Sequence, residues 1–175
     1  IALAQVLGLS SRQISDGISG LKPLSGRSEI LDGKNFLIMQ DCYNANPDSM
    51  EKAIEFIGSV KKEADAKKIF VLGDMLELGS DSKSAHEKIG LLAVNSDVDL
   101  VIFIGTEMKA AFKKAKNSSE KNIIFIAGNS QDSMERAASE IKKVLHGSLN
   151  SIIFIKGSRG MGLERISKIL LAGDE

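Results

Sequence analysis

Five short apolar runs constrain this chain more than anything else in it: FLIM (36–39), KIFVLG (68–73), LVIFIG (100–105), NIIFIAG (122–128) and SIIFIKG (151–157). Each is too short for a core helix and is dominated by Ile, Val, Leu and Phe, the pattern of strands buried on both faces. Between them lie longer amphipathic segments, near 48–64, 82–96, 107–117 and 131–146, with a last one near 162–172, all of which read as helices. Strand and helix in strict alternation imply a parallel sheet covered by helices on both faces. Ahead of the first run, SEILDGKNFLIM places the turn pair Asp32-Gly33 between two strand-like pieces, so an antiparallel edge strand is expected there.

The expected fold is therefore α/β, with a Rossmann-like, mostly parallel sheet of about six strands, one of them an antiparallel edge strand, and helices on both faces. A chain of 175 residues, 43% hydrophobic, is long enough for one such domain with an appendage. The appendage is the opening IALAQVLGLSSRQISDGISGL, which reads as helix, turn and helix and starts at Ile1, as a piece of a longer protein would. LKPLSGRSE, with Pro23, Ser25 and Gly26, separates it from the sheet and places a linker at about 21–26. Lys plus Arg equal Asp plus Glu at 23 each, which argues against a nucleic-acid partner. The lone Cys42 cannot form an internal disulfide, so nothing points to an oxidising compartment or a structural zinc site, and a cytoplasmic location is expected. No apolar run approaches the roughly 18 residues of a membrane span, and membrane insertion is not expected.

Four of the five runs end in glycine (Gly73, Gly105, Gly128, Gly157), and open α/β sheets bind ligands at the carboxyl ends of their strands. The polar loops there carry the candidate chemistry. In Asp41–Pro47 a carboxylate and the side chains of Asn44 and Asn46 could meet a ribose or an amine, although Asn46 and Asp48 also suit a helix cap. In 72–90, Asp74, Glu77 and His86 do not converge by spacing alone, so a surface His86, or one bonded back to its loop, is favoured over a metal ligand and no metal site is expected. In KGSRGMGLERI, Lys156 ends a buried strand, Gly157, Gly160 and Gly162 would let the backbone curve around an anion, and Ser158 and Arg159 would donate to it. Neither GxxxxGK followed by Ser or Thr nor GxGxxG occurs. Arg27 at the linker could reach a phosphate with two donors, or be a plain surface residue.

DCYNANPDSM, VLGDMLELG, the downstream His86 and KGSRGMGLE, in that order, closely resemble the carboxyl-terminal part of the Mur ligases, and LKPLSGR fits the entry into their third domain. The match runs over essentially the whole chain. YNANP with GDMLELG resembles the branch that adds D-alanyl-D-alanine, where its relatives typically carry YAH. The resemblance implies that residues 1–24 are the tail of a central ATP-binding domain and its linker, and that 25–175 form the carboxyl-terminal Rossmann-like domain, which closes over it. It also implies ATP and Mg2+, bound mainly by the central domain. Arg27 would reach the ATP phosphates and Asp41 the ribose, with Tyr43, Asn44 and Asn46 lining the cleft. Lys156, Ser158 and Arg159 would face incoming D-alanyl-D-alanine and an acyl phosphate on UDP-N-acetylmuramoyl-tripeptide. No catalytic residue is assigned within these residues, the roles of Asp74, Glu77 and His86 stay open, and an inactive fragment of a monomeric enzyme is expected. The competing reading is a free-standing Rossmann-like module for a small anion or nucleotide. A receiver domain is disfavoured because Thr106 and Glu107 stand where it needs its acceptor aspartate, and a folylpolyglutamate ligase would not be expected to carry YNANP.

Overall fold

The computed structural model describes residues 1–20 and 26–172. Most of the expected linker therefore lies outside the described residues. Two short helices come first, α1 (Ala2–Val6) and α2 (Ser11–Ser19), and neither contains a buried residue. Ser10 starts α2 with a capping box, its hydroxyl accepting from the Gln13 amide while the Gln13 side chain accepts from the Ser10 amide.

From Glu29 onward the chain alternates as expected: β1 (Glu29–Asp32), β2 (Phe36–Asp41), α3 (Pro47–Ser59), β3 (Lys68–Gly73), α4 (Ser82–Asn95), β4 (Leu100–Gly105), α5 (Met108–Lys116), β5 (Asn122–Ala127), α6 (Gln131–Leu145), β6 (Ser151–Lys156) and α7 (Glu164–Leu171). The six strands lie in the order β1-β2-β6-β3-β4-β5. β1 pairs antiparallel with β2, closed by the Gly33 amide donating to the Phe36 carbonyl at 2.9 Å, and every other neighbour is parallel.

Side chains alternate through β3, β4 and β6 into two cores. Ile38, Ile69, Val71, Ile102, Ile153 and Ile155 meet α6 and α7, whereas Phe70, Leu72, Val101, Phe103 and Phe154 meet α3, α4 and α5. Burial of each such side chain contributes about 1.5–3 kcal/mol. Gly90 lets α4 approach α5 closely, because a Cβ there would stand 2.4 Å from the Ala111 carbonyl oxygen.

Three expectations need correction. The FLIM run is not buried on both faces: Phe36 and Ile38 are buried but Leu37 is 44% exposed, since β2 lies beside the edge strand and α3 does not reach over that position. NIIFIAG forms the opposite edge, and among the six residues of β5 only Ile126 is fully buried. α3 ends at Ser59 rather than near 64, where the fully buried Lys68 takes over its end: Nζ donates to the carbonyls of Gly58 and Val60 at 2.9 and 2.8 Å.

The chain leaves β2 through α3 and enters β3 two positions away, and β6 later fills the gap after α6 has returned along the other face. The carboxyl ends of β2, β6 and β3 are thus the switch point at which open α/β sheets bind ligands.

Candidate functional site

At this switch point residues 26–28 form a hook lying across the end of β2. Gly26 has φ of +74° and Ser28 +47°, backbone angles that turn the chain sharply, and the first suits glycine. Three bonds hold the hook. The Tyr43 amide donates to the Gly26 carbonyl at 2.9 Å, the Gly26 amide to Glu29 Oε2 at 2.9 Å, and the Ser28 amide to Asp41 Oδ1 at 3.3 Å. Arg27, between them, lays its guanidinium 3.9 Å from the centroid of the Tyr43 ring, and the Arg159 guanidinium approaches the same ring at 5.2 Å. Tyr43 is itself 39% exposed. Hydrogen bonding to Arg27, the charge of Arg27 and then that of Arg159 lower its phenol from the ordinary tyrosine value. Gly26, Arg27, Gln40, Cys42, Tyr43, Arg159 and Glu164 line a cleft of about 380 Å³.

Beneath this cleft the polar groups are bonded to one another. Lys156, 1% exposed, donates from Nζ to Asp41 Oδ2 and, at 3.0 Å, to the Asn44 carbonyl. Asp41 and Lys156 are therefore engaged with each other, as the end of β2 requires of a cation buried beside it. Lys156 forms its ion pair with Asp41. Cys42 lies 5% exposed, its thiol 3.6 Å from the Ile155 carbonyl, and burial, then the charges of Glu164 and Asp41, push it up to about 12. Asn46 caps α3: its Oδ1 accepts from the Ser49 amide at 2.8 Å, with Pro47 at the first helical position.

The neighbouring loop after β3 has the same kinds of residue in a different state. Asp74 takes two backbone donors, Thr106 N–H on Oδ2 and Met108 N–H on Oδ1, both at 2.8 Å, and so secures the start of α5. Gly105 permits this, because a Cβ there would stand 2.2 Å from the Asp74 carboxylate. His86 is fully buried: Nε2 accepts the Met75 amide at 3.0 Å, and Nδ1, 2.7 Å from the Ser82 carbonyl, carries the proton. The surface His86 is thus replaced by the alternative, a histidine bonded back to its own loop. Glu77 sits in a left-handed turn with φ of +66°.

Ser158 belongs partly to this closed region. Its hydroxyl accepts the Leu76 amide at 2.9 Å and its own amide donates to the Asp74 carbonyl at 3.0 Å, fastening the loop after β6 to the loop after β3. In the glycine-rich turn Gly157 lets the two strand ends touch, since a Cβ there would lie 3.1 Å from Gly73 Cα, and Arg165 covers the carbonyls of Met161 and Gly162. Of the expected residues, the fold brings Arg27, Tyr43 and Arg159 together around the cleft, with Asp41, Asn44 and Lys156 beneath; Asn46 and Ser158 are taken into caps and loop joints. Among the described residues no three His, Cys, Asp or Glu side chains gather as a metal cluster.

The family model described as "Mur ligase, glutamate ligase domain" matches residues 26–159. The chain belongs to the Mur ligase family. It is 32% identical, over 97% of its length, to UDP-N-acetylmuramoyl-tripeptide–D-alanyl-D-alanine ligase of Treponema pallidum, and 32% identical, over 98%, to the ligase of the same name from Bacillus subtilis. It spans about a third of those relatives, 35% and 36% of their lengths. Among solved structures it resembles a MurF of Acinetobacter baumannii (26% identity, TM-score 0.80, 97% of this chain and 35% of that one). It also resembles the MurF ligase of Thermotoga maritima in complex with ADP (25% identity, TM-score 0.77, 98% and 36%).

Sequence reasoning missed Gln40 and Glu164, which line this Mur ligase cleft, and Glu29, which holds the Gly26 amide beside it. Only Gln40 left a signal, as a polar residue on the buried, apolar face of β2. The other two are acids at element starts, which resemble ordinary surface residues.

Proposed function

We propose that this chain is the carboxyl-terminal wall of an ATP-dependent amide ligase that joins D-alanyl-D-alanine to UDP-N-acetylmuramoyl-tripeptide, and that residues 1 to about 24 are the tail of its central nucleotide-binding domain. The observation that carries the reading is the pair of guanidiniums held on one exposed tyrosine at the switch point of a Mur ligase fold. Two cations over a polar aromatic suit an anion, and a phosphate accepts the planar two-donor face of arginine.

In the reaction, ATP phosphorylates the tripeptide carboxylate and leaves as ADP. The dipeptide amine then attacks the acyl carbon, loses a proton, and expels phosphate from a tetrahedral intermediate. Arg27 would hold nucleotide phosphate, Tyr43 would orient it, and Arg159 would face the dipeptide carboxylate or the acyl phosphate, where fixed positive charge offsets developing negative charge. Asp41, whose oxygens accept from the Ser28 amide and Lys156 Nζ, would offer its remaining acceptor capacity to the ribose, and Lys156 acts through Asp41 and the Asn44 carbonyl. Asn44 and Asn46 shape the rim, and Ser158 holds the loop that carries Arg159. Magnesium, with the triphosphate, would be held by the central domain and supply charge neutralisation there.

The test is phosphate release by the full-length protein. Release that requires ATP, the tripeptide and D-alanyl-D-alanine together is expected, and Arg27→Ala should lower kcat/KM about ten- to a hundredfold, the loss of one charge-assisted contact. The isolated 175-residue chain should release none. Nucleotide binding by that chain at about 1 µM, near −8 kcal/mol, would overturn the half-site reading in favour of a free-standing nucleotide module.

A further inference from the structure

The hook that carries Arg27 is tied down from two directions. From the sheet floor, Lys156 holds Asp41, and Asp41 accepts the Ser28 amide. From the last helix, Ser167 donates to Gln40 Oε1 at 2.6 Å, Gln40 Nε2 donates to Glu29 Oε2 at 3.1 Å, and that same oxygen accepts the Gly26 amide at 2.9 Å. Gln40 and Ser167 are buried at 5% and 1% exposure. A glutamine on the core face of β2, beside Ile38 and Ile155, costs free energy unless both ends of its amide are bonded. Here both ends are bonded, and the chain of bonds terminates on the backbone next to Arg27. Packing alone would be served by an apolar residue, and β1 is already fixed to β2 by its backbone register from Glu29↔Gln40 to Asp32↔Leu37.

We propose that Glu29 and Gln40 are positioning residues for Arg27: the brace Ser167–Gln40–Glu29 fixes the Gly26 amide, which sets the hook, which stacks the guanidinium on Tyr43. That Arg27 then meets a nucleotide phosphate rests on the ligase reading. The brace itself is a property of this domain.

The chain supplies its own probe, because Tyr43 is its only tyrosine and it has no tryptophan. Absorbance titration of tyrosinate in the 175-residue chain therefore reads the surroundings of one phenol. Arg27 and Arg159 are the charges that lower its titration. Arg27→Gln should move the midpoint up and mark the full effect. Gln40→Leu and Glu29→Ala should move it the same way, and Glu29→Gln, which keeps an acceptor for the Gly26 amide, should restore the stacked arrangement.

The sign separates the brace from simple charge. If Glu29 acts only through its charge, Glu29→Ala removes a negative neighbour and the midpoint moves down. A downward or absent shift in both Glu29→Ala and Gln40→Leu, with circular dichroism reporting folded protein, overturns the proposal. Should either of those unfold, Ser167→Ala removes one buried hydroxyl and decides by the same criterion. In the full-length ligase, Glu29→Ala should raise KM for ATP about tenfold with a smaller change in kcat, and Glu29→Gln should recover it. A wild-type protein without ligase activity would count against the ligase reading and leave the titration to decide the brace.

Discussion

Two strand-end clusters of the same sheet use similar side chains to opposite ends. After β3, Asp74 accepts the amides that start α5 and His86 bonds the Met75 amide and the Ser82 carbonyl, and both side chains are buried. After β2, Arg27 and Tyr43 are held by backbone bonds while their functional groups face a cleft. The difference teaches that a polar residue at a strand end is informative only with its partners. One whose hydrogen bonds are all internal builds the loop, and one positioned by its backbone but exposed at its tip is available to a ligand.

The largest expected effect lies on the closed side. Asp74→Ala strands the buried Met108 amide and the half-buried bond from the Thr106 amide, each of which bonds a carboxylate, so unfolding by urea should show a loss of about 3–5 kcal/mol. A loss under about 1 kcal/mol would mean that the loop after β3 is as open as the cleft, and the comparison would fail. Next is the floor shared by both regions. Asp41→Ala leaves the Lys156 ammonium with only the Asn44 carbonyl, and should cost about 3 kcal/mol by the same measurement. That cost must be subtracted before any kinetic defect of the variant is assigned to ribose contact.

Cys42 sharpens the boundary between cleft and core. The unfolded thiol ionises near 9.0 and the folded one near 12. Between those values the native state binds more protons than the unfolded state, so stability falls as pH rises, by at most about 1.4 kcal/mol per pH unit. Cys42→Ala should lack that slope. Equal slopes in the two proteins would mean that water reaches the thiol from the cleft. The smallest effect belongs to the open side: Arg27→Ala removes an exposed cation from an aromatic face and should change the unfolding free energy by less than about 1 kcal/mol. Beside its expected ten- to hundredfold kinetic loss in the full-length protein, that small change would mark Arg27 as a ligand group; a large change in stability would make it structural.

Much of the sheet was legible in the residues. The runs at 68–73, 100–105 and 151–157 became the three central strands because continuous Ile, Val and Phe can satisfy both faces of a buried strand and nothing else of that length. The outer strands were less legible. β2, next to the edge strand, and β5, an edge itself, have nearly the same composition as the central three, and their exposure was decided by sheet order. The site was legible in part. Arg27, Tyr43 and Arg159 were singled out from loops at the ends of β2 and β6 and from the linker, but Glu29 and Gln40 were not, because their importance comes from a neighbour 127 positions away in the chain, Ser167 reaching Gln40.

The sequence by itself determined the alternation of strand and helix, the hairpin at Asp32-Gly33, the helix start at Asn46-Pro47 and the family, since each depends on periodicity or on residues adjacent along the chain. Only the tertiary structure decided which polar groups were already spoken for: that Lys156 faces Asp41, that His86 faces the Met75 amide, and that Ser158 faces Leu76 while Arg159 turns to Tyr43. Insertion of β6 between β2 and β3 set those pairings. Hydrogen bonds are satisfied by distance and angle in space, and sequence order fixes neither until the sheet has chosen its strand order.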